Sequence, residues 1–168
     1  MVNRYIFLEN LWKMFSIRKL KDLLEKLSIS YEIIEHGVPL NTSEEAARYF
    51  EPSQIAPVLI VATEKGLMAL IYNYTGGKID FNTLKMNLNL SKCKPADKET
   101  IRNETGYRIG NIPIIDLPVT VIFDQILLKH PVIYGSTGNP RLILKIAPSD
   151  VIRLNKVRAV IDIPRMQD

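Results

Sequence analysis

The chain has little of what marks several common classes of protein. Its 168 residues include one cysteine, Cys93, and two histidines, which excludes an intrachain disulfide and argues against a dedicated zinc site. No apolar run reaches the roughly 18 residues of a membrane span, and no cleavable signal peptide is evident at the N-terminus. We therefore expect a cytoplasmic protein with no membrane partner, no metal and no cofactor.

Familiar catalytic motifs are also missing. There is no phosphate-binding P-loop, no full dinucleotide fingerprint, no HExxH and no CxxC pair. The net charge is +4, the pI is about 9.1 and 46% of the residues are hydrophobic. That composition fits one domain with a buried core, and its mild basic bias fits an anionic partner such as RNA or an enzyme that touches no nucleic acid.

Apolar periodicity predicts helices mixed with short strands. The predicted strands are residues 31–35, 56–62, 67–72, 92–94 and 157–161, with others starting at Val119, Val132 and Leu142; the predicted helices are residues 43–50, 96–103 and 148–154 and one capped by Asp80. This pattern indicates an α+β (mixed α/β) single domain over residues 16–168. A mostly antiparallel or mixed central sheet would be surrounded by helices. A helical N-terminal extension is predicted over residues 1–15.

The segment most informative about function is residues 105–113, TGYRIGNIP. Two glycines and a proline surround polar residues there, and taken alone they are typical of a surface turn. The segments that follow are VIFD at residues 121–124, YGSTG at 134–138 and LILKI at 142–146. Taken in this order, the series resembles the YbaK/ProX family of aminoacyl-tRNA deacylases over roughly residues 30–154.

The resemblance implies ester hydrolysis at the 3′ end of mischarged tRNA, with an aminoacyl-tRNA synthetase as a further expected partner. Gly110 matches the first glycine of the family's Gly-x-x-x-Pro loop, and Asn111 follows it, so both are expected to donate hydrogen bonds to the reacting ester. The family's proline corresponds to Ile114 here, one residue after Pro113. The loop is therefore shorter by one residue or differently shaped.

Three further positions match the family's cleft. Asp124 is expected to hold the substrate's ammonium group or to orient a water, although it is equally placed to cap the turn that follows. Gly135 and Gly138 match a glycine-rich turn over the substrate, and ordinary turn chemistry is their alternative. A pocket formed jointly by Gly110, Asp124 and Gly135 is the test that separates this hypothesis from an unrelated globular fold.

Residues flanking these segments are weaker candidates for substrate binding. His36 follows the first strand and matches a position ahead of the cleft, but a packing role accounts for it equally. Thr105 and Tyr107 precede the glycine loop, where the tyrosine is placed to stack on adenine or to pack in the core.

One departure from the family falls on a central residue. The family has a lysine at the head of the hairpin, whereas this chain reads Pro57-Val58 there, and proline offers neither a charge nor a backbone N–H. Lys65 lies at the far end of the strand, and Lys92 or Lys145 would have to enter from a neighbouring strand. Two hypotheses follow: a trans-editing deacylase for a small amino acid, or a catalytically impaired module that binds aminoacyl-tRNA 3′ ends.

Overall fold

The computed structural model describes residues 17–167, so the predicted extension over residues 1–15 lies outside the described residues. Helix α1 includes residues 17–26. The other helices are α2 (Ser43–Ala46), α3 (Phe81–Asn87), α4 (Lys98–Thr105) and α5 (Pro148–Arg153). The strands are β1 (Tyr31–Glu35), β2 (Val58–Thr63), β3 (Gly66–Ile71), β4 (Cys93–Pro95), β5 (Thr120–Asp124), β6 (Ile133–Ser136), β7 (Leu142–Ile146) and β8 (Val157–Ile161).

The strands form two sheets, which makes the predicted α+β class more specific. A five-stranded sheet has the order β4-β2-β3-β5-β8, in which β4, β2 and β3 pair antiparallel while β3, β5 and β8 pair parallel. A three-stranded antiparallel sheet has the order β1-β7-β6. The prediction of a mixed sheet is confirmed for the larger one, whereas the division into two sheets has no local sequence signal.

Both faces of the larger sheet are covered, which explains the continuous apolar runs in its central strands. On one face Ile60, Ile71 and Phe123 belong to the main core, and on the other Val61 and Leu70 belong to a second cluster with α3. Cys93 is buried in that second cluster, and this burial raises the pKa of its thiol. We therefore expect the thiol to pack in the core and to react slowly.

The smaller sheet packs against the main-core side through Ile133, Leu144 and Ile146. The two sheets join where Ile55 forms a parallel bridge with Tyr134, and Ala56 N donates to Tyr134 O at 2.9 Å. This junction places the chain just before β2 beside strand β6.

Two helices differ in extent from their predictions. The predicted helix over residues 43–50 ends at Ala46 and gives way to turns, in which Arg48 N donates to Glu45 O and Tyr49 N to Ala46 O, before Pro52 begins a 3₁₀ turn. The helix predicted over residues 96–103 runs from Lys98 to Thr105. Asp97 caps its start, and Gly106 at φ 77° ends it in the left-handed conformation that glycine adopts readily.

Candidate functional site

A cleft opens where the two sheets meet. Its volume is about 250 Å³, at the small end for a ligand pocket. The residues that line it come from four stretches of chain: Leu40, Asn41, Thr42, Ser43, Ala46 and Phe50; Ile55 to Leu59, with Tyr72; Ile109, Gly110 and Ile112; and Tyr134, Gly135, Ser136, Asn139, Pro140 and Ile143. No single segment forms this site, which depends on the fold.

Two glycines among the predicted site residues shape the cleft. Gly110 has φ +86°, and a Cβ at this position would collide with the carbonyl oxygen of Asn41, so the loop approaches that backbone only because the side chain is absent. Gly135 lies in strand β6, not in the turn predicted for it. A Cβ there would collide with the buried side chain of Ile114. Both positions therefore favour glycine for steric reasons.

The opposite wall is the start of α2. Thr42 Oγ1 accepts from Glu45 N at 3.2 Å, and Glu45 Oε2 accepts from Asn41 N at 2.8 Å, which is a capping box whose glutamate bonds one residue before the N-cap. Asn111 Nδ2 donates to Asn41 Oδ1 at 3.3 Å, whereas the buried Asn111 Oδ1 has no partner within residues 17–167. Asn111 thus supports a residue of the lining without itself lining the cleft.

The lining is polar in places but carries no aspartate, glutamate, histidine, lysine or arginine among the residues described. Pro57 and Val58 both line it, so the head of the hairpin faces the cleft as the resemblance implies. Lys145 does not enter the cleft; it pairs with Glu32 at 3.6 Å. Within residues 17–167 there is also no cluster of three metal-ligating side chains. Hydrogen bonding and shape are the interactions this cleft offers.

Asp124 does not line the cleft, and the direct role predicted for it needs correction. The residue is 3% exposed. Its carboxylate accepts hydrogen bonds from Arg165 Nη2 and Asn73 N, both at 3.0 Å, and from Ile126 N at 3.4 Å. The last of these caps the 3₁₀ helix Gln125–Lys129, as the capping alternative predicts. Because Asp124 is buried and absent from the cleft lining, a substrate ammonium group held in the cleft does not meet its carboxylate.

Three more of the predicted site residues also lie outside the cleft lining. Thr105 Oγ1 donates to Ile101 O at 2.6 Å and closes helix α4. Tyr107 packs beside Gly138, which has φ +94°, and burial raises the pKa of its phenol, helped by the negative charge of Asp116. Thr105, Tyr107 and Gly138 therefore lie in and around the loop that carries Gly110, and they do not line the cleft.

His36 lies one layer behind the cleft. Its ring meets Tyr49 edge-on at 4.2 Å between centroids and lies 6.3 Å from the ring of Phe50, which does line the cleft. Its Nδ1 is 3.1 Å from Val38 O. The packing interpretation of His36 describes these contacts, and an effect on a ligand would have to pass through Phe50.

Sequence reasoning missed the aromatic walls of the cleft. Phe50 stacks on Tyr134 with ring centroids 4.6 Å apart, and Tyr72 lies across the hairpin from Pro57, with Tyr72 N donating to Pro57 O at 3.2 Å. A turn placed at Glu64–Lys65 fixes the register that pairs Pro57 with Tyr72, so that position was accessible from the sequence. The approach of Phe50 to Tyr134 carries no such signal.

Comparison with known proteins agrees with this architecture. The family model of the aminoacyl-tRNA editing domain matches residues 38–154, a range that contains every residue lining the cleft. The hypothetical protein APE2540 is similar in structure, with TM-score 0.77 and 23% identity over 86% of this chain and 98% of that one. A candidate trans-editing enzyme for prolyl tRNA synthetase has TM-score 0.75 and 23% identity, covering 90% and 98%.

Proposed function

The chain belongs to the aminoacyl-tRNA editing domain family, and on that premise we propose that it is a trans-acting deacylase that hydrolyses the ester of a small amino acid mischarged on tRNA. The observation that carries the proposal is the cleft of about 250 Å³ built around Gly110, Pro57 and Gly135. Its volume favours a small aminoacyl group. We further propose that residues 16–168 act as one editing domain.

The chemistry this cleft offers is positioning and hydrogen bonding. Among the described residues its lining has no histidine, carboxylate or lysine to act as a general base, so water attack on the ester is best activated by the free hydroxyl of the substrate's own terminal ribose. Glycine-rich backbone near Gly110 and Gly135 can donate N–H groups to the carbonyl oxygen as it gains negative charge. The hydroxyls of Thr42 and Ser136 are further neutral donors in the cleft.

The same observations define a second candidate function. Because Pro57 stands in the cleft without charge or N–H, this alternative is a protein that recognises aminoacyl-tRNA ends yet lacks turnover. In that form it would shield or deliver the 3′ end. Partnership with an aminoacyl-tRNA synthetase fits either function and rests on the family resemblance.

A panel of correctly and incorrectly charged tRNAs, each carrying a labelled amino acid, separates the two functions. Purified protein is expected to release label from a mischarged species with a small amino acid and to leave correctly charged species intact. Release equal to the protein-free control, together with a measurable Kd for the same charged tRNAs, would reject the deacylase and support the binding module. Absence of both release and binding would reject both.

A further inference from the structure

The guanidinium of Arg165 occupies a site built for it near the C-terminus. Nε donates to Ile163 O at 3.3 Å and Nη1 to Gly77 O at 2.8 Å, while Nη2 donates to Asn73 O at 2.9 Å and to Asp124 Oδ2 at 3.0 Å. The side chain is 16% exposed. All three nitrogens of this guanidinium have hydrogen-bond partners. Its position is therefore more tightly fixed than that of a typical surface arginine.

Two neighbours give this guanidinium its place against the cleft wall. A Cβ at Gly76 would lie 2.5 Å from Arg165 Cζ, so the arginine fits only because residue 76 lacks a side chain. Arg165 Cζ lies 5.4 Å from the centroid of the Tyr72 ring, within the range of a cation–π contact. Arg165 therefore braces an aromatic ring that lines the cleft.

Tyr72 is half-buried, packs against the second hydrophobic cluster and lines the cleft, and its hydroxyl is a hydrogen-bond donor. It pairs across the hairpin with Pro57, which supplies no donor of its own. Burial raises the pKa of its phenol, and the charge of Arg165 acts against this rise. The hydroxyl is therefore protonated near neutral pH, where a phenol serves as a donor.

We propose that the Tyr72 hydroxyl donates a hydrogen bond to an oxygen of the aminoacyl ester, and that Arg165 is a positioning residue that holds the Tyr72 ring for this contact. The inference rests on the proposed function for its substrate. Arg165 lies beyond residues 38–154, the part matched by the family model, so this brace joins the C-terminal segment to the matched part of the chain. No bond is made or broken by either residue.

The first test removes one atom. Tyr72→Phe keeps the ring and its packing, so it is expected to fold as the wild type and to lower kcat for deacylation about 10-fold or more, with KM changed less than about two-fold. Thermal unfolding followed by circular dichroism confirms the fold. A Tyr72→Phe variant with wild-type kcat would overturn the proposal.

The second test addresses Arg165. Arg165→Met is expected to lower kcat in the same direction as Tyr72→Phe, and Arg165→Lys, which keeps the charge, to restore part of the loss. Arg158→Met is the control for the loss of an arginine, because Arg158 is exposed on β8 and its Nη2 donates to Leu88 O while its Nη1 contacts Met68, both outside the cleft lining. Equal losses of kcat in the Arg158 and Arg165 variants would overturn the positioning role.

A spectroscopic readout separates positioning from general destabilisation and keeps the test valid if Arg165→Met folds poorly. The ultraviolet titration of Tyr72 is obtained as the difference between each protein and its Tyr72→Phe counterpart. Loss of the guanidinium charge is expected to raise the pKa of Tyr72, while Arg165→Lys and Arg158→Met leave it closer to the wild-type value. If Arg165→Met does not fold, Gly76→Ala takes its place. A pKa of Tyr72 that is unchanged in the variant tested would contradict the contact between Arg165 and the Tyr72 ring.

Failure of the proposed function is distinguishable from failure of this inference, because it is detected by measuring the wild-type protein without any variant. If wild-type protein cleaves no ester, binding of 3′-deoxy-3′-alanylamino-adenosine, whose amide replaces the ester, takes the place of kcat. Tyr72→Phe is then expected to weaken its Kd about 10-fold. An equal Kd in both proteins overturns the inference. Absence of binding by the wild type overturns it as well, because the proposed substrate is then not a ligand of the cleft.

Discussion

The buried carboxylate of Asp124 accepts a 3.0 Å hydrogen bond from Arg165, a residue 41 positions later in the chain. The pair ties the end of β5 to the C-terminal segment, beside the Tyr72 wall of the cleft. Both side chains are largely shielded from solvent, at 4% and 16% exposure. Removing one partner of such a pair leaves a buried charge unpaired, which is far more costly than removing a surface ion pair.

Asp124→Ala is therefore expected to lower the free energy of unfolding by about 3–5 kcal/mol. Urea unfolding measured by fluorescence or circular dichroism checks this. Glu32→Ala is the matched control, because its ion pair with Lys145 is exposed and its loss is expected to cost less than about 1 kcal/mol. Similar small effects in both variants would mean that Asp124 does not hold the fold, and would reopen a direct role for its carboxylate.

Gly110→Ala is expected to reduce deacylation about 10-fold or more, because the new Cβ meets the Asn41 carbonyl and displaces one wall of the cleft. Gly66→Ala is the control. Gly66 also has positive φ, at +103°, but it lies at the hairpin turn, where an added Cβ would have no neighbouring atom within 4 Å. Both variants should lose stability through backbone strain. Initial rates with mischarged tRNA separate them, and equal rates would place Gly110 outside the site.

The single thiol, Cys93, is expected to react slowly in the folded protein. It is buried, and both burial and the charge of Glu64 raise its pKa, with Lys85 acting against them; the thiolate that reacts is therefore scarce at about pH 8. Ellman's reagent should label the native protein at least about 100-fold more slowly than the protein unfolded in guanidinium chloride. Fast labelling of native protein would place Cys93 at the surface.

Helix α3 supplies a prediction for pH dependence. Thr83 donates to Asp80 through both its hydroxyl and its N–H, and these bonds lower the pKa of the carboxyl below its ordinary 3.8. The charged cap therefore stabilises the fold above pH 3.8, and the contribution is lost as the pH falls through the lower pKa of the folded state.

The stability difference between wild type and Asp80→Ala is thus expected to be constant from about pH 5 to about pH 8 and to shrink as the pH falls from 3.8 to about 2. Urea midpoints across this range measure it. Asn82→Ala, on the same helix, should show no such change. If the stability difference between wild type and Asp80→Ala grew as the pH fell, the pKa of Asp80 would be raised by folding and not lowered.

Local signals account for what the sequence predicts well. The hairpin follows from two apolar runs around Glu64–Lys65, strand β1 has the predicted bounds Tyr31–Glu35, and Asp80 caps α3 through a side chain three residues from its partner. Each of these depends on residues close together in the chain.

The site itself depends on contacts between distant segments, and there the prediction succeeds only in part. Gly110, Pro57, Val58 and Gly135 line one cleft, but Asp124 does not. The end of a strand is a position from which a carboxylate can point to solvent or to the core, and its choice here is set by Arg165, far along the chain. No local pattern around Asp124 carries that information.

The most direct measurement of the central proposal is the number of esters cleaved per protein molecule when a tRNA mischarged with a small amino acid is in excess. A value well above one, at a rate exceeding spontaneous hydrolysis and reduced in Gly110→Ala, is the predicted result. Label release that matches the protein-free rate in wild type and variant alike would contradict the assignment of this cleft as a deacylase site.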